Sequence, residues 1–294
     1  MPILCRVTRG ELTESIHVVF AVVVNESGII YSTGDPNYLT CVRSALKPFQ
    51  AATAIKLGAV EKARFSIDEI ALMCASHLGE EVHVKTAQSM LEKLDYNTSH
   101  YECGSHYPSD KDSKHSLIKS DIEASPLHNN CSGKHAGMLS IAKFLLDNPR
   151  GYIKKNHPVQ KAILNQLKEY AEEDNIPIEL DGCSAPTPFL TLEKIAHLYQ
   201  KLSSDKYPEL IECYNAMRDF PYNVAGKNQF DTKFIEALNG RGITKGGGES
   251  IRGVSLKSKD GESIGIALKV LDGHHRAMPS ATIGLLKHLN LLSE

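Results

Sequence analysis

Nothing in the sequence is apolar enough to cross a bilayer. The longest apolar run, VVFAVVV at 18–24, falls far short of the roughly 20 residues a spanning helix needs. The opening stretch, MPILCRVTRGELTES, lacks a basic start followed by an apolar segment and a small-residue cleavage site, so no secretory leader is expected. Charge of one sign is not in excess either. With 33 Lys and Arg against 35 Asp and Glu and no basic stripe, neither nucleic acid nor an anionic membrane is the expected partner, which leaves small molecules or proteins. The cysteines are Cys5, Cys41, Cys74, Cys103, Cys131, Cys183 and Cys213, with no C-x-x-C pair among them. Odd in number and scattered, they exclude a disulfide framework and point to a reducing, cytoplasmic setting. No internal repeat, low-complexity tract or Pro/Gly/Ser-rich linker divides the chain, so one compact unit over 1–294 is expected.

What is present suffices for a sizeable core, since 41% of the 294 residues are hydrophobic. The segment HVVFAVVVNESGIIYSTGD (17–35) predicts two strands turning at Asn25 to Gly28. GVSLKSKDGESIGIALKVLDG (253–273) repeats the pattern around a Lys-Asp-Gly turn, and SATIGLLKHLNLL (280–292) reads as a helix packed on those strands. Between the ends the signals are helical. Ser66 and Glu69 form a capping box before an apolar run, and Pro158 suits a first helical position. EEVHVKTAQSMLEKL (80–94) and TLEKIAHLYQKL (191–202) carry apolar residues at helical spacing. Strands at both ends predict one antiparallel sheet, built from roughly 5–35 and 245–275, with an inserted helical region. That is an α+β fold rather than alternating α/β.

The stretch VRSALKPFQAA (42–52) sets Ser44 three residues before Lys47, with Pro48 next. If Ser44 caps or opens a helix, Pro48 falls in the first turn, where a proline sacrifices no hydrogen bond. Residues three apart share a helix face, so hydroxyl and amine can meet. A lysine can then serve as base for the serine once burial or nearby positive charge lowers its pKa. The same spacing also arises from a serine cap followed by a surface lysine. Three further clusters concentrate acceptors, thiols and amines in turn-rich segments: CASHLGEE (74–81), HNNCSGKHAGM (128–138) and DGCSAPTP (181–188).

With RSALKPFQA before them and IALKVLDG after them, these clusters stand in the order of the signature blocks of the rhizobial-type asparaginases. The sequence resembles that family from about residue 5 to 285. The resemblance implies the fold of the β-lactamase and penicillin-binding-protein superfamily, an L-asparagine amidohydrolase, a zinc cofactor and a homodimer. It implies Ser44 as nucleophile or its partner, Lys47 as the activating base, Ser76 as the second serine and Lys269 as the lysine paired with it. Arg43 and His135 would line the substrate pocket; Cys131, Lys134 and Cys183 would bind zinc, with Asp181 beside them. The substrate's carboxylate and ammonium would meet Arg43 and Glu249.

The stretch GRGITKGGGESIRG (240–253) departs from the family's alanine-containing block. It leaves Lys245 as a competitor to Lys269 for the role of second lysine. Other readings also stay open. They are a relative acting on glutamine or a lactam, a non-catalytic zinc-stabilised binding protein, and a thiol hydrolase pairing Cys74 or Cys131 with His77 or His135.

Overall fold

The computed structural model describes residues 1–146 and 148–292. Its strands are β1 (Ile3–Arg9), β2 (Leu12–Asn25), β3 (Gly28–Thr33), β4 (Leu39–Cys41), β5 (Ile178–Leu180), β6 (Pro186–Thr191), β7 (Gly242–Gly247), β8 (Ile251–Lys257) and β9 (Ser263–Val270). Its helices are α1 (Lys47–Lys56), α2 (Ala59–Ala63), α3 (Ile67–Met73), α4 (Glu81–Lys93), α5 (Lys111–Lys119), α6 (Ser132–Leu146), α7 (Pro158–Ala171), α8 (Leu192–Leu202), α9 (Pro208–Asp219), α10 (Pro221–Val224), α11 (Phe230–Ala237) and α12 (Met278–His288).

The apolar run at 18–24 becomes the C-terminal half of β2, the longest strand among the described residues. Among the described residues the main sheet runs β1-β2-β9-β8-β7, with β3 also paired to β2. Every pairing is antiparallel. The two ends of the chain therefore join at the β2–β9 seam, where Val22 faces Ala267. The α+β architecture is the expected one, with the Asn25–Gly28 turn in place. The sheet reaches further than predicted at both limits, taking in all of β1 and starting β7 at Gly242.

Alternation along β2 sorts its side chains to two cores. Val22 and Val24 pack with the helical region, whereas Val19, Ala21 and Val23 pack with α12 and α11. Covered on both faces, β9 is buried along its whole length, which explains its unbroken apolar run. The face toward the helical region is closed by α8. A Cβ on Gly265 would stand 2.0 Å from the Ala196 carbonyl oxygen and 2.2 Å from the Gln200 nitrogen, so the helix backbone rests directly on the strand.

Between β4 and β7 lies the helical region. Its spine is α6, buried from Ser132 to Ala142 and packed against α1, α2, α3 and α4. The capping box at Ser66 and Glu69 opens α3, and Pro158 is the first residue of α7. One local expectation is corrected. Ser44 does not cap α1; it lies in a 3₁₀ turn, Arg43–Leu46, that runs directly into the helix. A second, small sheet runs β4-β6-β5.

The α8–β9 contact generates a stability prediction. Gly265→Ala forces a methyl group into helix backbone, which cannot rotate aside as a side chain can. It should cost roughly 3 kcal/mol, read as a lower midpoint in urea unfolding.

Candidate active site

Arg43 opens the turn that carries Ser44 with φ of 49°, a left-handed conformation that costs a non-glycine residue on the order of 1 kcal/mol. The turn is anchored from α8, where the buried Tyr199 hydroxyl donates to the Ala45 carbonyl at 2.7 Å. One helical step on, Lys47 is 1% exposed. Its amine donates to the Ala75 carbonyl, to Ser76 Oγ at 3.0 Å and to the Asn130 carbonyl at 3.2 Å. Three acceptors match the three donors of a lysine ammonium. The hydroxyl in contact with Lys47 is thus that of Ser76, not of Ser44. Ser76 is held by its own N–H on the Val224 carbonyl at 3.0 Å, so that N–H is not open to an oxyanion.

Ser44 and Ser76 border one cavity of about 550 Å³, and Lys47 reaches it from behind through Ser76. Another wall is the C-terminal half of β7. Lys245, 1% exposed, borders the cavity, as do the glycines that follow it. Those glycines let the strand approach the turn: a Cβ on Gly247 would lie 3.1 Å from the Val42 carbonyl oxygen and 3.2 Å from the Ala45 nitrogen. Burial, the largest influence, pulls Lys245 down to about 8, with Lys47 and Arg252 adding to the shift against Asp231.

Five sequence-derived assignments do not line the cavity: Lys47 and Lys134, each bonded to a side chain that does, and Lys269, Glu249 and His135. Lys269 sits on the central strand β9, and its amine donates to the backbone carbonyl of Glu249. Glu249 is exposed and turns its carboxylate toward Gly273, where an added Cβ would meet Oε2 at 2.4 Å. His135 is fully buried on α6, its Nδ1 2.7 Å from the Tyr152 hydroxyl. The sequence could not separate Lys269 from a true wall residue, because which strand lies beside the Ser44 turn depends on sheet order. Arg43 and Asp181 do border the cavity, joined Nε to Oδ1 at 2.8 Å. Sequence reasoning missed Asp231, Arg252 and His106, which also border it. The one usable signal was the triple glycine at 246–248, a mark of close backbone approach.

Cys131 and Cys183 border the same cavity, and Lys134 Nζ lies 2.8 Å from Cys183 Sγ. Interaction with Cys183 holds Cys131 well below the usual thiol range, and the same interaction pushes Cys183 up. Burial pulls Lys134 down, but the two sulfurs outweigh it and the net direction is up. Among the described residues no group of three or more His, Cys, Asp or Glu is placed to hold a metal. What converges is two thiols and an amine, a donor set whose softness fits zinc once the amine is deprotonated. The thiol-hydrolase pairing is not formed. Cys74 is fully buried and lies against Cys213, His77 Nε2 meets Ser132 Oγ at 2.9 Å, and Cys131 Sγ lies 2.9 Å from Asn130 Oδ1.

The profile of the family described as L-asparaginase II matches residues 5–294. The chain belongs to the L-asparaginase II family. It is accordingly an enzyme, a hydrolase acting on amides. No curated protein matches it in sequence. Among solved structures this L-asparaginase II family member is similar to Mglu in its native form, with TM-score 0.51 and 13% identity over 93% of this chain and 64% of that one. Such identity speaks for the fold alone. A representative of class A β-lactamase from Bacteroides cellulosilyticus DSM 14838 aligns with TM-score 0.49 and 14% identity, over 93% of this chain and 92% of that one. A β-lactamase from Sphaerobacter thermophilus DSM 20745 gives 0.47 and 13%, over 95% and 94%. No helix among the described residues of the family member is long and apolar enough to cross a membrane.

The two lysines can be told apart by rate. Lys245→Met should lower amide hydrolysis by about 10²–10⁴-fold, the usual cost of losing a general base. Lys269→Met should leave the rate within roughly threefold. Steady-state ammonia release on both variants checks this.

Proposed function

We propose that the protein is an L-asparagine amidohydrolase that releases ammonia and L-aspartate through a serine ester. The observation that carries the reading is the meeting of Ser44, Ser76 and Lys245 at one cavity, with Lys47 hydrogen-bonded to Ser76. An unprotonated lysine amine takes the proton of the attacking serine, and the alkoxide adds to the side-chain amide carbon. Collapse of the tetrahedral adduct returns a proton to the leaving nitrogen and expels ammonia. Water, deprotonated by the same base, then cleaves the ester. Ser44 and Ser76 are the two candidate nucleophiles, and Lys47 and Lys245 the two amines. In this reading Lys245 takes the place that the resemblance gives to Lys269.

A substrate carrying both a carboxylate and an ammonium needs both charges met. Arg43 supports the first, with the guanidinium nitrogens beyond Nε free of the Asp181 contact described above. Asp181 supports the second through the oxygen not bonded to Arg43 and Gly182. Zinc belongs to the proposal as well, and Cys131, Lys134 and Cys183 would hold it. When bound, it would supply a Lewis-acid anchor that orients substrate at the cavity edge. A homodimer, carried by the resemblance alone, and a cytoplasmic setting, carried by the scattered cysteines, are part of the same reading.

Ammonia release from asparagine, glutamine and a chromogenic lactam tests the substrate. Asparagine should be turned over fastest by well over tenfold, and equal turnover of glutamine or the lactam would sink that choice. Ser44→Ala and Ser76→Ala should each lower kcat by several orders of magnitude with folding intact. Mass spectrometry of acid-quenched enzyme identifies the acylated serine. Cys131→Ser should lower zinc content, measured by elemental analysis, and raise KM more than it lowers kcat. Unchanged KM in a metal-free protein removes zinc from the proposal.

A further inference from the structure

Neighbouring residues of a strand point to opposite faces. On β7 that sends Lys245 to one face and Gly246 to the other, and Arg252 on β8 lies directly across from Gly246. The two cations therefore approach from opposite sides of the sheet. β7 is the outer strand, and α11 packs beside it with Asp231 in its first turn. From that edge Asp231 meets both. The carboxylate does not divide itself evenly. Oδ1 accepts from Arg252 Nη1 at 2.5 Å, and Oδ2 accepts from the Gly246 N–H at 2.9 Å. Lys245 Nζ stays 3.7 Å from Oδ2 and donates instead to the Gly246 carbonyl at 2.7 Å. Arg252 cannot drift. Its Nη1 also donates to Thr244 Oγ1 at 2.8 Å, and its guanidinium lies 4.5 Å from the centre of the Phe230 ring. Glycine at 246 leaves room for the pair, since a Cβ there would stand 3.1 Å from Arg252 Nη2.

We propose that Arg252 is a positioning residue: by holding the Asp231 carboxylate on its own side of β7, it denies Lys245 a close salt bridge and leaves that amine able to accept a proton at the cavity. The inference rests on the reading of Lys245 as a base given above. The charged and titratable groups facing Lys245 are Asp231 from α11, Arg252 from β8, Lys47 from α1 and Cys131 just ahead of α6. Burial lowers the lysine most, Lys47 and Arg252 add to that, and Asp231 and Cys131 oppose it. Burial also works on Asp231, pushing it up, but Arg252 and Lys245 outweigh it and the carboxyl stays below its usual range. The two cations thus favour the charged form of the carboxyl, and its Oδ1 is already committed to Arg252. At 3.7 Å Lys245 keeps an ion-pair attraction to that carboxylate but no hydrogen bond with it.

The test is the pH dependence of kcat/KM for asparagine in the full-length enzyme. Because a neutral amine is required, the rate rises with pH through a limb near 8, the position of Lys245. Arg252→Met frees Asp231 Oδ1 to turn to Lys245, which stabilises the ammonium. The limb should move up by about one pH unit, a roughly tenfold loss at neutral pH that is recovered at high pH. Asp231→Asn removes the counter-ion and should move the limb down. Opposite shifts support the proposal; an unmoved limb in Arg252→Met, or shifts of the same sign, overturn it. If Arg252→Met does not fold, Arg252→Lys serves, because an ammonium cannot hold Asp231 and Thr244 as a planar fork does. It should move the limb up by less, and no movement overturns the proposal. Lys245→Met separates the two levels. Full activity in that variant removes the catalytic reading itself, whereas an inactive Lys245→Met beside an unmoved Arg252→Met removes only the role of Arg252.

Discussion

A lysine amine withdrawn from water has to find its hydrogen-bond partners again in the protein, and Lys47 does so in two separate pieces of chain. The Ala75 carbonyl and the Ser76 hydroxyl come from the loop after α3, and the Asn130 carbonyl comes from the approach to α6. Leaving those donors unmatched would cost several kcal/mol per missing partner. The amine therefore fixes the loop and the helix start relative to the Ser44 turn. The cavity is the space left between these three segments and the end of β7.

The same junction explains why the thiols sit where they do. Asn130 gives its carbonyl to Lys47, and the next residue, Cys131, turns its sulfur toward Cys183 and the cavity. Two chemistries thus share a single peptide unit. One turn of α6 further on, Lys134 places a second buried amine against Cys183. Satisfied amines stand on both sides of the cysteines, which keeps this polar cluster compatible with the packed helices around it.

Much of the fold was legible because its signals are local. The Asn25–Gly28 turn, the Ser66 capping box and Pro158 at the head of α7 each depend on residues close in sequence. Sheet order is a different kind of fact. That β9 would lie beside β2, and that β7 would take the outer place against the Ser44 turn, depends on pairings between the two ends of the chain. This is why Lys269 and Lys245 looked interchangeable: both follow apolar strand residues, and only strand order sends one to the central seam and the other to the cavity wall. Asp231 and Arg252 carried no signal, since a helix start and a strand far along the chain reveal nothing of their partnership by spacing. The serine turn was half read. Its neighbourhood with Lys47 was visible, but the 3₁₀ geometry that sends the amine to Ser76 was not.

The seam between β2 and β9 has a consequence for how the molecule is made. As the polypeptide leaves the ribosome, β2 emerges with the whole helical region still to come before β9, and it stays without its central partner until that strand follows. Its long apolar edge must wait, open to unwanted strand pairing, while the helices form and pack. Closure of the sheet is then a late event bridging very distant points of the chain, the kind of contact that slows folding. Lys245, at the cavity wall, lies on β7 and follows the whole helical region, so the cavity cannot be walled in before that stretch has been made.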